Sequence, residues 1–247
     1  MRNVLTFILI VVVALGSFKS EAADKERLEF VMRFGFIRGG KATFVANDTL
    51  FDGKMTTHLK VRGRSVGIVD ALYKVDDIYE SWVDPATNLP LKAIRNVKEK
   101  NYRYYNETLF YHEKDSAYSQ KSGWRAVDDN ITDMLSVFYY FRGHELLTGL
   151  EKGDKFSVPL WHSDKIYKID VIYLGKKDLQ TRFGKINCFV LAPQVKKGKI
   201  FKKTDALTVW ISNDRNKVPL LLDLDIKVGS LKCELVEYVS PEGFHLK

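Results

Sequence analysis

The chain of 247 residues is poor in the residues that carry most chemistry: it has two cysteines, five histidines and six prolines. Cys188 and Cys233 form no metal motif. The histidines (His58, His112, His144, His162 and His245) are dispersed, and no pair has helical ligand spacing. No metal site and no cofactor are therefore expected. Ser65, Ser81 and Ser136 lack the flanking glycines of a nucleophile elbow. No Pro- or Ser-rich stretch separates independent units, and beyond the first 22 residues no apolar run is long enough to cross a bilayer.

What is present begins with an address. Met1-Arg2-Asn3 is a short basic start, Val4 to Leu15 is an apolar run, and Ser20-Glu21-Ala22 places small residues before Ala23. This is the pattern of a secretory signal peptide over residues 1–22, with cleavage expected after Ala22; the alternative is an uncleaved N-terminal anchor. No cysteine follows the apolar core, which argues against lipid attachment there. Residues 23–247 then form a single β-rich domain, expected to work outside the cytoplasm.

The chain carries a net charge of +8. A basic surface suits anionic lipid, acidic polysaccharide or nucleic acid, and export makes nucleic acid the poorest of these partners. Lys196, Lys197, Lys199, Lys202 and Lys203 cluster around Gly198. They read either as a solvated hairpin tip whose charges guard its edges or as a dock for an anionic partner. Cys188 and Cys233 each lie on the apolar side of a strand-like run, compatible with a disulfide in an oxidising compartment or with buried thiols.

Alternation of period two dominates the rest. Leu28, Phe30, Met32, Phe34 and Phe36 share one face; so do Met55, Thr57, Leu59 and Val61; Tyr167, Ile169, Val171 and Tyr173; and Leu220, Leu222, Leu224, Ile226 and Val228. Turn signals such as Asp52-Gly53, Asp84-Pro85 and Asn213-Asp214 separate about a dozen strands with hairpin-length connections, which predicts an antiparallel sheet. Two segments depart from this pattern. Ser65 to Tyr73 and Ile131 to Leu147 place apolar residues at helical spacing, the second after the acidic start Asp129, Asn130 and Asp133. A sheet of this size tends to curl, so the expected fold is all-β dominated: a single strongly curved antiparallel sheet or open β-barrel, with two short helices packed on or in it.

One internal echo stands out. Trp82-Val83-Asp84, a turn and Pro90-Leu91 resemble Trp210-Ile211-Ser212, a turn and Pro219-Leu220. Duplication of a strand-rich half and common turn chemistry both account for it.

The run Ile68–Asp77 leading into Glu80-Ser81-Trp82-Val83-Asp84, the segment Asp133–Arg142, Pro219-Leu220 leading to Gly229-Ser230-Leu231 and Glu234-Leu235, and the early Gly39-Gly40-Lys41-Ala42 together resemble the exported bacterial family of uncharacterised proteins known as domain of unknown function 3108. The resemblance spans nearly all of residues 23–247. It implies a Gram-negative envelope protein, secreted across the inner membrane and periplasmic, and supplies no activity and no catalytic residues. The expected architecture is also similar to that of the periplasmic lipoprotein carriers, whose curved half-barrels enclose helices and an apolar cavity; that likeness rests on architecture alone.

Three functional readings follow. In the first, a non-catalytic envelope protein binds an apolar or amphipathic, lipid-like ligand in a curved-sheet cavity, with Trp82, Phe138, Tyr139, Phe141 and Trp210 as candidate wall residues; core packing is the competing role for these aromatics. In the second, it is an envelope scaffold or assembly factor working through protein contacts. In the third, Asp76, Glu80, Asp84 and Asp133 converge as the carboxylates of a hydrolase.

Overall fold

A computed structural model describes residues 25–143, 147, 149–194, 203–226 and 229–240. The alternating segments form fourteen strands: β1 (Glu26–Phe34), β2 (Ile37–Phe51), β3 (Lys54–Ser65), β4 (Asp76–Val83), β5 (Pro90–Glu99), β6 (Tyr102–Tyr111), β7 (Ser116–Ser119), β8 (Gly123–Ala126), β9 (Lys155–His162), β10 (Lys165–Thr181), β11 (Gly184–Pro193), β12 (Leu207–Ser212), β13 (Pro219–Ile226) and β14 (Gly229–Val239). They build one antiparallel sheet in the order β8-β7-β6-β5-β4-β3-β2-β1-β14-β13-β12-β11-β10-β9. Every sequential pair from β1 to β8 and from β9 to β14 is a neighbour, and β1 joins β14 at the centre.

The sheet is not closed by a strand ladder: β8 and β9 are its edges. It curls far enough for the β9–β10 turn to reach the first half. Arg95 Nη1 donates to Ser163 Oγ at 2.5 Å, and Asn106 Nδ2 donates to Asp164 Oδ1 at 3.0 Å. The segment after β8 fills the gap. Val127 N–H donates to the Asp115 carbonyl, Thr132 N–H to the Pro159 carbonyl and Trp161 N–H to the Thr132 carbonyl. Ile131 is buried with Phe110, Ala117, Val127 and Trp161. The exposed backbone of edge strand β9 is thus partly satisfied, which blunts it against pairing with another chain.

Both expected helices occur, each shorter than its apolar pattern: α1 (Gly67–Leu72) and α2 (Ser136–Gly143). The helical reading from Ile131 fails at its start because Thr132 bridges to Leu160 of β9 instead. The cap falls at Asp133. Its Oδ1 accepts from the N–H groups of Leu135 and Ser136, and Ser136 Oγ accepts in return from the Asp133 N–H, which satisfies helix-start donors reciprocally. The alternation of β1 is also cut short. Leu28 and Phe30 are buried, but Phe34 and Phe36 run past the covered part of the sheet and are exposed.

The echo around the two tryptophans extends to the whole architecture. β1–β6 and β9–β14 are two six-stranded meanders with matching connections: Phe34 to Ile37 against His162 to Lys165, Phe51 to Lys54 against Thr181 to Gly184, Val83 to Pro90 against Ser212 to Pro219, and Glu99 to Tyr102 against Ile226 to Gly229. The pairing slips at the same place in both, after Trp82 and after Trp210. The residue two before each proline, Asn88 or Lys217, has a positive φ (58° and 46°). Common turn chemistry accounts for one hairpin, not for four matched connections in the same order, so the halves form a structural repeat.

Candidate ligand site

Helix α2 lies inside the curl and presents two faces. Leu135, Tyr139 and Arg142, at i, i+4 and i+7, turn toward the first half. Leu135 packs with Ala46, Leu59 and Val83. The Tyr139 ring stacks on Phe44 with centroids 5.9 Å apart. Arg142 holds Glu26 through two hydrogen bonds of 2.7 Å, and the Tyr139 and Tyr238 hydroxyls donate to the same carboxylate. Burial alone would raise the Glu26 pKa; the Arg142 guanidinium and the two hydroxyls outweigh it and hold the group below its ordinary value.

Met134, Val137, Phe138 and Phe141, at i, i+3, i+4 and i+7, occupy the other face and line a cavity of about 650 Å³. Its far wall is Val158 and Leu160 of β9, Ile166, Ile169 and Val171 of β10, Leu191 of β11, Leu207, Val209 and Ile211 of β12, and Leu222 of β13. The charged groups in the wall are Arg142, Lys168 and Lys217, all basic. Ile166 and Met134, both partly exposed, stand at the end of the sheet where β9 turns into β10.

The first half shows less space among the described residues: a pocket of about 280 Å³ opens beside Lys25, Glu26, Thr57, Pro85 and Asn88, where Arg142 meets Glu26. A void of about 40 Å³ lies among Tyr79, Arg95, Tyr104, Asn106, Asp133, Trp161 and neighbouring residues. It is bordered by hydrogen bonds: Ser81 Oγ donates to Asp133 Oδ2 at 2.6 Å, and Asn106 Nδ2 donates to Ser119 Oγ at 2.9 Å.

Of the aromatic residues expected to form a pocket, Phe138 and Phe141 line the large cavity. Tyr139 is turned away and anchors the helix. Trp82 lies on the opposite face of β4 from the buried Ser81 and Val83, its ring stacked on His58 at 4.2 Å with Lys92 Nζ 5.3 Å from its centroid. Trp210 likewise alternates with the cavity-lining Val209 and Ile211, and packs against the cluster that includes Cys188, Val218 and Leu220. The residues not anticipated are the aliphatic ones of β9–β13. Their inward alternation was readable; that nothing fills the space before them was not.

Cys188 and Cys233 are free thiols. They sit on β11 and β14 with β12 and β13 between them, and adjacent strands are already about 4.8 Å apart, beyond disulfide reach across two intervening strands. The candidate disulfide is therefore replaced by two buried or half-buried thiols, each pushed up to about 12 by burial. Lys196, Lys197, Lys199 and Lys202 lie outside the described residues; Lys203 pairs with Asp225 at 3.4 Å.

The carboxylates do not converge. Asp76 forms a two-pronged pair with Arg62, Glu80 faces His58 and Lys60, and Asp84 accepts from the Ala86 and Thr87 N–H groups in its turn. Asp133 is buried at the helix cap, where burial raises its pKa against the opposing pull of its hydrogen bonds. Among the described residues no group of His, Cys, Asp and Glu could hold a metal ion, and no helix is long and apolar enough to cross a membrane.

Among solved structures, a β-barrel-like protein of domain of unknown function DUF1849 from Brucella abortus shares the fold at a TM-score of 0.56 and 10% identity, over 87% of this chain and 97% of that one. A DUF1089 family protein from Pseudomonas aeruginosa gives a TM-score of 0.36 at 9% identity, over 77% of this chain and 87% of that one. No curated protein matches the sequence. The model of the protein family of unknown function DUF3108 matches residues 29–236, and the chain belongs to that family.

Proposed function

We propose that this chain is an exported, non-catalytic protein of the bacterial envelope that holds a lipid-like anionic amphiphile in the space between α2 and β9–β13. The observation that carries the reading is the cavity itself: about 650 Å³, walled by aliphatic and aromatic side chains, with only basic groups among its charged residues. That volume falls within the roughly 300–1,000 Å³ of small-molecule sites. An apolar void excludes water and accepts apolar ligands, and leaving it empty forfeits packing energy. An acyl chain would recover that packing. With Arg142 already paired to Glu26, Lys168 and Lys217 would favour a carboxylate or phosphate head over a neutral one. The leader at residues 1–22 supports the envelope location.

The test is titration with a fluorescent fatty acid and with its neutral methyl ester. Saturable binding of the acid, weaker binding of the ester and at least a tenfold loss of affinity in Val209→Trp with unchanged thermal unfolding are expected. Absence of saturable binding to the unsubstituted protein would sink the proposal.

A further inference from the structure

A second feature lies at the tip where β1 turns into β2. Phe36 is 93% exposed in that turn, with the exposed Phe34 and Ile37 beside it. Helix α1 is held against the same tip. The Val66 N–H donates to the Gly39 carbonyl at 3.0 Å, and Val69 packs so closely over Gly39 that a Cβ there would come within 3.1 Å of it. None of the six residues of α1 is buried, and Ile68 and Leu72 are 66% and 75% exposed. Only Val69 and Asp70 of α1 are half-covered, so the helix adds little to the core and the exposed Ile68 and Leu72 need another explanation. The nearby charges supply one. Arg62 is taken by Asp76 and Arg33 by Glu234, whereas Arg38, Lys41 and Lys74 have no acidic partner at ion-pair distance among the described residues.

We propose that this tip docks into the surface of an anionic lipid bilayer, with Phe36, Ile68 and Leu72 entering the boundary between headgroups and acyl chains and Arg38, Lys41 and Lys74 meeting lipid phosphates. The proposal stands on the exterior of the molecule and is independent of what the cavity holds.

The experiment places an environment-sensitive nitrobenzoxadiazole label at Phe36→Cys in the full chain. Cys188 and Cys233, with their thiols at about 12, react poorly. A second protein carries the label at Leu50→Cys, in the 66% exposed Leu50 position beside the β2–β3 turn at the opposite end of the sheet. With phosphatidylcholine vesicles containing phosphatidylglycerol, the label at 36 should brighten and shift to the blue while that at 50 stays in water. Raised salt and the triple variant R38E/K41E/K74E should each weaken the response more than tenfold. No response at 36 on anionic vesicles would overturn the proposal. So would an equal response at 50, which would put the contact elsewhere, or a blue shift without vesicles that grows with protein concentration, which would make the tip a self-association surface.

Discussion

The two six-stranded halves share strand order, four of their five connection lengths and the slip beside each tryptophan, yet the first is the more closely filled and the second holds the larger hollow. The bulge register equates Ser81 with Val209 and Val83 with Ile211. In the first half Ser81 holds the cap aspartate and Val83 touches Leu135. In the second half the matched Val209 and Ile211 face the cavity. The repeated backbone fixes the curve of the sheet. Which half is the more closely filled depends on where the single helix α2 leans, and Glu26, Leu135 and the Asp133 cap hold it against the first half. The larger hollow in the second half follows from that asymmetric anchorage.

The anchorage can be broken where it is strongest. Glu26→Ala leaves the Arg142 guanidinium buried without its counter-charge, a loss of about 3–5 kcal/mol expected from such pairs, seen as a lower urea midpoint at neutral pH. Because the folded pKa of Glu26 is depressed, its contribution is complete above the unfolded value of about 4.3 and lost as pH falls through the lower folded value. The gap between the unsubstituted protein and Glu26→Ala should therefore narrow in acid. A gap that is constant with pH would mean that packing, not the ion pair, holds the helix.

The two faces of α2 should answer differently to the same operation. Leu135→Ala removes a side chain 6% exposed in a filled cluster and should cost about 2–5 kcal/mol with little change in ligand affinity measured above the unfolding threshold. Phe138→Ala opens onto space that is already empty. It should cost roughly 1 kcal/mol, since only part of its area is buried, while lowering affinity for the fluorescent fatty acid. Equal stability losses for the two would contradict the picture of one packed and one open face.

These contrasts mark what the sequence could and could not convey. Strands were legible because a half-buried strand repeats every two residues, and α2 because its apolar positions repeat at three and four. The helix start was over-extended because Ile131 and Thr132 satisfy an apolar pattern equally well as a strap across an edge strand. The cavity was hidden for a related reason. Alternation shows which side of a strand turns inward, and Ser81 and Val209 both do; whether another side chain arrives to meet them depends on the helix. Size misled at Trp82 and Trp210. Broad aromatic residues suggested a pocket wall, but the pleat turns each away from the interior positions beside it. The tryptophan–proline echo was the visible part of the repeat, since its remaining matches are in spacing rather than in residue type.

The subtlest test exchanges the matched residues. Ser81→Val takes the hydroxyl from the buried Asp133 and leaves an acceptor short of a partner, which should cost about 1–3 kcal/mol at neutral pH. Burial already raises the Asp133 pKa, so the folded state binds this proton more tightly than the unfolded one. Stability from this group is greatest below the unfolded value of about 3.9 and declines as pH rises through the folded value. Removing a hydrogen bond that favours the ionised form raises the folded value further, so the Ser81→Val penalty should be smaller in acid than at neutral pH. Val209→Ser, its counterpart, involves no ionised neighbour. It should cost only about 1 kcal/mol in lost apolar burial at either pH while weakening the hold on an acyl chain. A pH-dependent penalty at 81 and a pH-independent one at 209 would separate the hydrogen-bonded interior from the apolar one at a single matched position of the repeat.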